Sequence, residues 1–284
     1  MKINKPKVKV VLLGTGFPFP FPDRIGPSLA IIVDDKSYII DAGSGAVRRM
    51  QKAFDDGELA LEPKKIEKLF VTHLHSDHTL GYPDIILTPW VMGRKNPLEV
   101  YGPKGIKSMT ENILEAYKED IYIRTHGLEN GNHTGYKVNT HDIKSGIIYK
   151  DEHVKVKAFK VKHGIWKEAY GFTFIVGDKK IVISGDTKPH PNVIKEAKDC
   201  DLLVHEVYAM NRLKDANAPW TKYLKTFHTS TEELAEIGNK TKPKKIVLIH
   251  QIDFNNTNKK VVSEVTSKYK GKVIYGKDLD SFIV

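Results

Sequence analysis

The chain of 284 residues has a single cysteine, Cys200. One thiol closes no internal disulfide, so a disulfide-stapled scaffold is excluded. Cys200 precedes the apolar run Leu202-Leu203-Val204, which predicts a buried structural thiol. No apolar run approaches the roughly 20 residues of a membrane span, so no membrane association is expected. Residues 1–7 lack the apolar core of a signal peptide, and a cytoplasmic location is expected. A leader removed ahead of this start would leave export open. Arginine is scarce, standing only at 24, 48, 49, 94, 124 and 212, so the net charge of +10 is mostly scattered lysine. That charge suits an anionic substrate such as a phosphodiester or nucleic acid, and equally a solvated lysine-rich surface. No GxGxxG or P-loop pattern is complete. Gly14, Gly16, Gly43 and Gly45 are therefore expected in tight turns.

What is present is an ordinary globular composition, 40% hydrophobic and 28% charged. Strand-like runs occupy 8–13, 29–33, 38–40, 68–71, 154–161, 172–176, 181–184, 202–204, 246–249 and 273–275. Helix-like stretches at 46–54, 105–119, 192–197, 231–238 and 259–269 lie between them. Thr229-Ser230-Thr231-Glu232-Glu233 reads as an N-terminal cap. Repeats and linkers are lacking. A single α/β layered domain over 1–284 is expected, with a helical and loop insertion around 81–149.

The strand at 68–71 runs into Thr72-His73-Leu74-His75-Ser76-Asp77-His78. Three histidines and an aspartate in six positions are rarely structural. Imidazole and carboxylate are the donors that zinc prefers. A short loop can turn His73 and His75 toward one ion and Asp77 and His78 toward another. Three more polar residues stand at the ends of apolar runs, in Val161-Lys162-His163, Ile183-Ser184-Gly185-Asp186 and Ile249-His250. Each alone would pass as a strand-end residue. Together with the first cluster they indicate a site on one edge of the scaffold. Histidines 126, 133, 141, 153 and 190 fit no ligand position and are expected at the surface.

The motifs resemble the metallo-β-lactamase superfamily, and within it the ribonuclease Z-like branch, over nearly the whole chain. Leu13-Gly14-Thr15-Gly16, with Pro18, Arg24 and Ser28, resembles the branch's opening motif. Asp41-Ala42-Gly43-Ser44-Gly45 and Arg48-Arg49-Met50 resemble its second strand and first helix. The segment 72–78 matches the superfamily signature. Gly93-Arg94, Pro97-Leu98 and Tyr101-Gly102-Pro103-Lys104-Gly105 resemble the stretch after it.

The resemblance implies an αββα sandwich of two mixed β-sheets flanked by helices, with the site at one edge. It implies two zinc ions per chain, manganese and iron being alternatives for the same donors. His73, His75 and His163 would hold the first ion. Asp77, His78 and His250 would hold the second, and Asp186 would bridge them. A bridging aspartate argues against β-lactam hydrolysis as the main activity. The segments His205-Glu206-Val207-Tyr208 and Phe227-His228-Thr229-Ser230 resemble branch motifs whose glutamate and histidine pair near the scissile phosphate. A homodimer is also implied.

The activity expected is dinuclear metal-dependent hydrolysis of a phosphodiester by a metal-bridging hydroxide, with an anionic ester, RNA included, as substrate. Asp77, Glu206 and His228 would be catalytic. Asp77 orients the nucleophile, and His228, oriented by Glu206, contacts a nonbridging oxygen or protonates the leaving group. One departure bears on substrate size. Branch members that process transfer RNA carry a long arm between the positions of His163 and Asp186. Here residues 164–185 leave room for a turn and two strands only. The alternative is an aryl sulfatase-like or lactonase-like small-ester hydrolase, with Trp90, Trp166, Tyr170 and Trp220 lining an apolar pocket. A redox or scaffold protein is less consistent with His75 and His78, because redox relatives replace them with carboxylates.

Overall fold

A computed structural model describes residues 6–214, 216–253 and 258–284. Its central strands are buried on both faces. In β1 (Val8–Gly14), Val8, Val10 and Leu12 pack between two sheets, while Val11 and Leu13 pack under helices. A strand covered on both sides reads as a continuous apolar run, so its sequence does not reveal which face meets which layer.

The first sheet runs, in spatial order, β14 (Ser281–Ile283), β1, β2 (Ser28–Val33), β3 (Lys36–Ile40), β4 (Lys68–Phe70), β5 (Leu98–Gly102) and β6 (Val138–Asp142). The second runs β13 (Val273–Tyr275), β12 (Ile246–Ile252), β11 (Leu202–Tyr208), β10 (Lys179–Ile183), β9 (Tyr170–Val176), β8 (Lys155–Lys160) and β7 (Gly146–Lys150). Both are mixed: β1, β2 and β3 pair antiparallel and β3 through β6 parallel, while β7 through β10 pair antiparallel and β10 through β13 parallel.

Helices α1 (Ala46–Asp55) and α3 (Tyr82–Val91) cover the outer face of the first sheet through Val47, Met50, Ile85 and Ile86. Helices α6 (Pro191–Ala197), α8 (Thr231–Thr241) and α9 (Asn258–Lys268) cover the second through Val193, Leu234, Ile237, Val261 and Val265. The result is the αββα sandwich that the motifs imply. Short α2 (Ser76–Thr79) follows β4 directly, and α7 (Ala218–Phe227) precedes α8. Helix α8 starts in a capping box: Glu233 N–H donates to Ser230 Oγ at 3.2 Å, and Ser230 N–H donates to Glu233 Oε2 at 2.9 Å. Among the described residues no helix is long and apolar enough to cross a membrane.

The interval 81–149 contains α3, α4 (Ile106–Ala116) and α5 (Lys118–His126), but also β5, β6 and β7, which take regular places in the sheets. The stretch 105–119, read as one helix, divides near Tyr117 into α4 and α5. Between His163 and Asp186 lie a loop and the hairpin of β9 and β10, turning at Gly177 with φ 57°. No arm extends from it.

Candidate metal centre

Both sheets deliver side chains to one edge. The loop and α2 after β4 supply His73, His75, Asp77 and His78. From the second sheet come His163 after β8, Asp186 after β10, Glu206 within β11 and His250 within β12. His250 reaches the site through a bulge. The register of β11 on β12 passes from Glu206↔Ile249 to Val207↔Gln251, so His250 is skipped, and its φ is 45°. An extra residue of this kind re-aims a side chain that regular pleating would point elsewhere. Asp41, at the end of β3, is also left-handed, with φ 58°. Gly185 needs its lack of a Cβ: φ is 60°, and a Cβ there would lie 2.5 Å from the Tyr170 carbonyl oxygen.

The ligand atoms of His73, His75, His163 and Asp186 lie within 4.8 Å of one another, and so do those of Asp77, His78 and His250. Asp186 stands between the groups. Its Oδ2 is 4.0 Å from His73 Nε2, 3.9 Å from His163 Nε2 and 3.3 Å from His250 Nε2, and its Oδ1 is 3.4 Å from His78 Nε2. The imidazole nitrogens turn inward, His75 Nδ1 lying 3.0 Å from both His73 Nε2 and His163 Nε2. His78 Nε2 is buried without a hydrogen-bond partner. Converging lone pairs around carboxylates, with a buried nitrogen lacking a donor, fit metal cations better than any hydrogen-bond network. The absence of a thiolate favours a borderline or hard divalent ion.

Outer partners fix the ring orientations. His78 Nδ1–H donates to Asp41 Oδ2 at 2.8 Å. Thr72 N–H donates to Asp41 Oδ1 at 2.8 Å, and Thr72 Oγ1 donates to Asp41 Oδ2 at the same distance. That leaves Thr72 Oγ1 to accept from His73 Nδ1–H at 3.0 Å. His163 Nδ1–H donates to the Phe227 carbonyl at 2.9 Å. These bonds leave each Nε2 as the free base. His75 differs, because Trp166 Nε1–H donates to its Nε2 at 2.6 Å while Nδ1 faces the cluster.

Burial keeps His73 neutral, with its pKa well below the ordinary value, and holds His163 down to about 3. Burial would also depress His78, but Asp186, Asp77 and Asp41 outweigh it and raise its pKa well above normal. Burial works against ionised Asp186 too. His250 and His78 overcome it and hold that carboxyl well below the carboxylate range. With ions in place the same carboxylates would face cations instead, so these directions describe a charge-balanced cage.

Glu206 and His228 sit beside the cluster, both buried. Glu206 Oε1 accepts from His228 Nδ1–H at 3.1 Å and from Thr187 N–H at 2.9 Å. Burial, reinforced by the charge of Asp186, raises the Glu206 pKa well above normal. Burial lowers that of His228. His228 Nε2 lies 3.3 Å from Tyr223 Oη. A ligand atom of His228 also lies within 4.8 Å of those of Asp186 and His250. A cavity of about 400 Å³ opens on the centre, lined by Asp77, His228, His250, Phe17, Trp220 and Tyr223 among others.

Of the aromatic residues expected around an apolar pocket, Trp220 lines this cavity and Trp166 holds His75. Trp90 and Tyr170 are buried elsewhere, Trp90 Nε1–H donating to the Asn132 carbonyl at 2.8 Å. Asp41 is the positioning residue that sequence reasoning placed in a motif without assigning a role. Tyr223 lies on α7, whose start is marked by Asn217, which accepts from Trp220 N–H at 3.0 Å, and by Pro219 in the first turn; that signal was open to the sequence and not read from it. Phe17 had one in the Phe-Pro alternation that follows Gly16.

The model of the β-lactamase superfamily domain matches residues 36–251. Ribonuclease Z of Pyrococcus abyssi is 30% identical over 278 residues, 86% of each chain being covered. Among solved structures, the metallo-β-lactamase fold protein YhfI of Bacillus subtilis superposes with a TM-score of 0.76 at 15% identity, covering 98% of this chain and 100% of that one. The short form of human tRNase Z superposes with a TM-score of 0.72 at 21% identity, covering 96% and 98%. These likenesses and the cage define a metal-binding hydrolase on a two-sheet sandwich. The chain belongs to the β-lactamase superfamily and, within it, to the ribonuclease Z-like branch.

Proposed function

We propose that this chain is a zinc-dependent phosphodiesterase that works with two ions. The observation that carries the reading is the placement of Asp186, whose carboxylate lies within 4.0 Å of His73 and His163 of one ligand group and of His78 and His250 of the other. His73, His75 and His163 would hold one ion, Asp77, His78 and His250 the other, and Asp186 both. Bound ions supply Lewis acidity that activates water and offsets charge developing on phosphoryl oxygens.

The remaining chemistry falls to side chains. Water oxygen forms a new bond to phosphorus, and the bond from phosphorus to the leaving oxygen breaks. Asp77, lining the cavity with Oδ2 3.3 Å from His250 Nε2, orients the water and takes its proton. His228 presents Nε2 to the cavity and gives a proton to the departing oxygen or steadies a nonbridging one. Burial lowers its pKa, so it takes up that proton once an anionic phosphoryl group lies beside it. Glu206 holds the ring through Nδ1. Small esters suit the site better than a folded RNA, because the hairpin of β9 and β10 offers no distant grip on phosphates. A homodimer, as in the family, would be read directly by sedimentation.

The test joins metal analysis to a substrate series. Protein purified without chelators should contain about two zinc ions per chain and cleave bis-(4-nitrophenyl) phosphate, with precursor transfer RNA processed poorly even at low salt. Trace metal with unchanged activity in His75→Ala would end the dinuclear reading. Efficient removal of a precursor's 3′ trailer would restore RNA as the main substrate.

A further inference from the structure

A second cavity, of about 480 Å³, adjoins the metal-side one and shares Phe17, Pro18, Ser76 and Asp77 with it. Its outer wall is the segment Phe17-Pro18-Phe19-Pro20-Phe21. Proline fixes its own φ and confines the residue before it to extended conformations, so the alternation stiffens this loop. Phe19 N–H donates to the Phe17 carbonyl at 2.5 Å and Phe21 N–H to the Phe19 carbonyl at 2.8 Å. Such two-residue turns bring every second side chain together. Phe19 and Phe21 stand 4.5 Å apart between ring centroids, Phe17 and Phe21 5.7 Å, and Phe17 lies 6.3 Å from the His250 ring.

The base of the loop is pinned. Asp278 accepts from Thr15 N–H and Ile25 N–H, both at 2.9 Å. Arg24 donates to the Thr15 carbonyl at 2.8 Å and pairs with Asp253 at 3.7 Å. Phe19 is nevertheless 45% exposed, and Leu80, which also lines the cavity, is 65% exposed. Two large apolar side chains therefore face solvent across a slot that leads to the reacting centre. Arg24 is the only cation among the described residues lining either cavity. The slot thus lacks the spread of cations that tracks a polyphosphate backbone and has the ring faces that stack on a planar group.

We propose that this slot is a subsite for a planar aromatic group carried by the ester, the ring lying against Phe19 and Leu80 while the phosphoryl group reaches the metal centre. The proposal rests on the phosphodiesterase reading of that centre. It is tested by calorimetric binding of phenyl phosphate and methyl phosphate to the metal-loaded protein, which needs no turnover. Phenyl phosphate should bind at least tenfold more tightly, the scale of one stacking contact. In Phe19→Ala and in Leu80→Ser that preference should fall to about threefold or less, with metal content held equal. Both side chains are exposed enough for the variants to fold. Uridine 5′-monophosphate binding as tightly as phenyl phosphate assigns the slot to nucleobases, and weaker binding assigns it to simple aryl groups. Equal affinity for phenyl and methyl phosphate in the unaltered protein, or a preference that survives both substitutions, overturns the proposal. A protein that discriminates the two ligands yet never cleaves bis-(4-nitrophenyl) phosphate would instead refute the phosphodiesterase reading alone.

Discussion

The residues around the metal cage divide into those that would donate to an ion and those that set the donors' direction. His228 lies at that division: it is hydrogen-bonded to Glu206, yet close enough to Asp186 and His250 to be a ligand itself. His228→Ala should lower turnover of bis-(4-nitrophenyl) phosphate by about 100-fold, the scale of a lost general acid, with metal content unchanged. Loss of an ion in that variant would make His228 a ligand. Asp41 never touches the cavity, but it takes the proton side of His78 and both donors of Thr72. Asp41→Asn should weaken binding of the second ion by about 10-fold or more, because the amide no longer fixes the His78 tautomer. Competition with a chromogenic chelator measures that affinity without an activity assay. Arg94 shows the opposite use of a charge. It is buried and donates to the carbonyls of Ile66, Ile85, Ile86 and Gly135, pinning three segments together, and it lines neither cavity beside the cage.

At the scale of elements, the turn between β7 and β8 ties the two sheets together through Asp151. Its Oδ2 accepts from Tyr38 Oη of β3 and from Tyr149 Oη, both at 2.7 Å, and its Oδ1 accepts from His153 N–H at 2.9 Å and Val154 N–H at 2.8 Å. Partial burial works against the charge, but the hydrogen bonds prevail and lower the pKa below its ordinary value. A carboxyl depressed on folding adds stability above its unfolded value, near 3.9, and loses it as pH falls through the folded value. Asp151→Asn should therefore cost roughly 2 kcal/mol at neutral pH, the scale of hydrogen bonds to a charged group. It should also flatten the acid limb of stability below about pH 4. Urea unfolding at pH 7 and pH 3 reads both.

Much of this element pattern was legible. Apolar runs such as 8–13 and 202–204 located strands, and the dense cluster at 73–78 marked the candidate site. Strand β6 escaped because its residues are half exposed and polar, as in Val138-Asn139-Thr140-His141-Asp142, while β5 and β7 are short runs of five residues inside a stretch rich in Pro, Gly and helix formers. Pairing with a neighbour makes them strands, and pairing leaves no local mark. The bulge at His250 and the reversed backbone at Asp41 escaped for the same reason: each is set by what lies across the sheet.

For the whole molecule, the charge of +10 is spread over many lysines, while the cavities beside the cage are largely apolar. Bulk charge and local chemistry therefore point to different substrate sizes, and the local chemistry decides which ester fits. Ions held by the native fold alone stabilise it by mass action. Removing them with a chelator should lower the melting temperature by roughly 5 °C or more, the shift expected for a few kcal/mol in a chain of this size. An unchanged transition in calorimetry, with metal loss verified, would show that the cage contributes nothing to stability.

The division of the cage between the sheets has a further consequence. His73, His75, Asp77 and His78 hang from the first sheet, and His163, Asp186 and His250 from the second. If the proposed ligand groups hold metal, neither sheet alone would supply a complete set, and competence would require both to have docked. A nascent chain that has made only β1 through β6 carries His73, His75, Asp77 and His78 without the second sheet's donors, and β14, which completes the first sheet, is made last of all. On the proposed reading the seam would act as an assembly checkpoint, with metal as its late-arriving rivet.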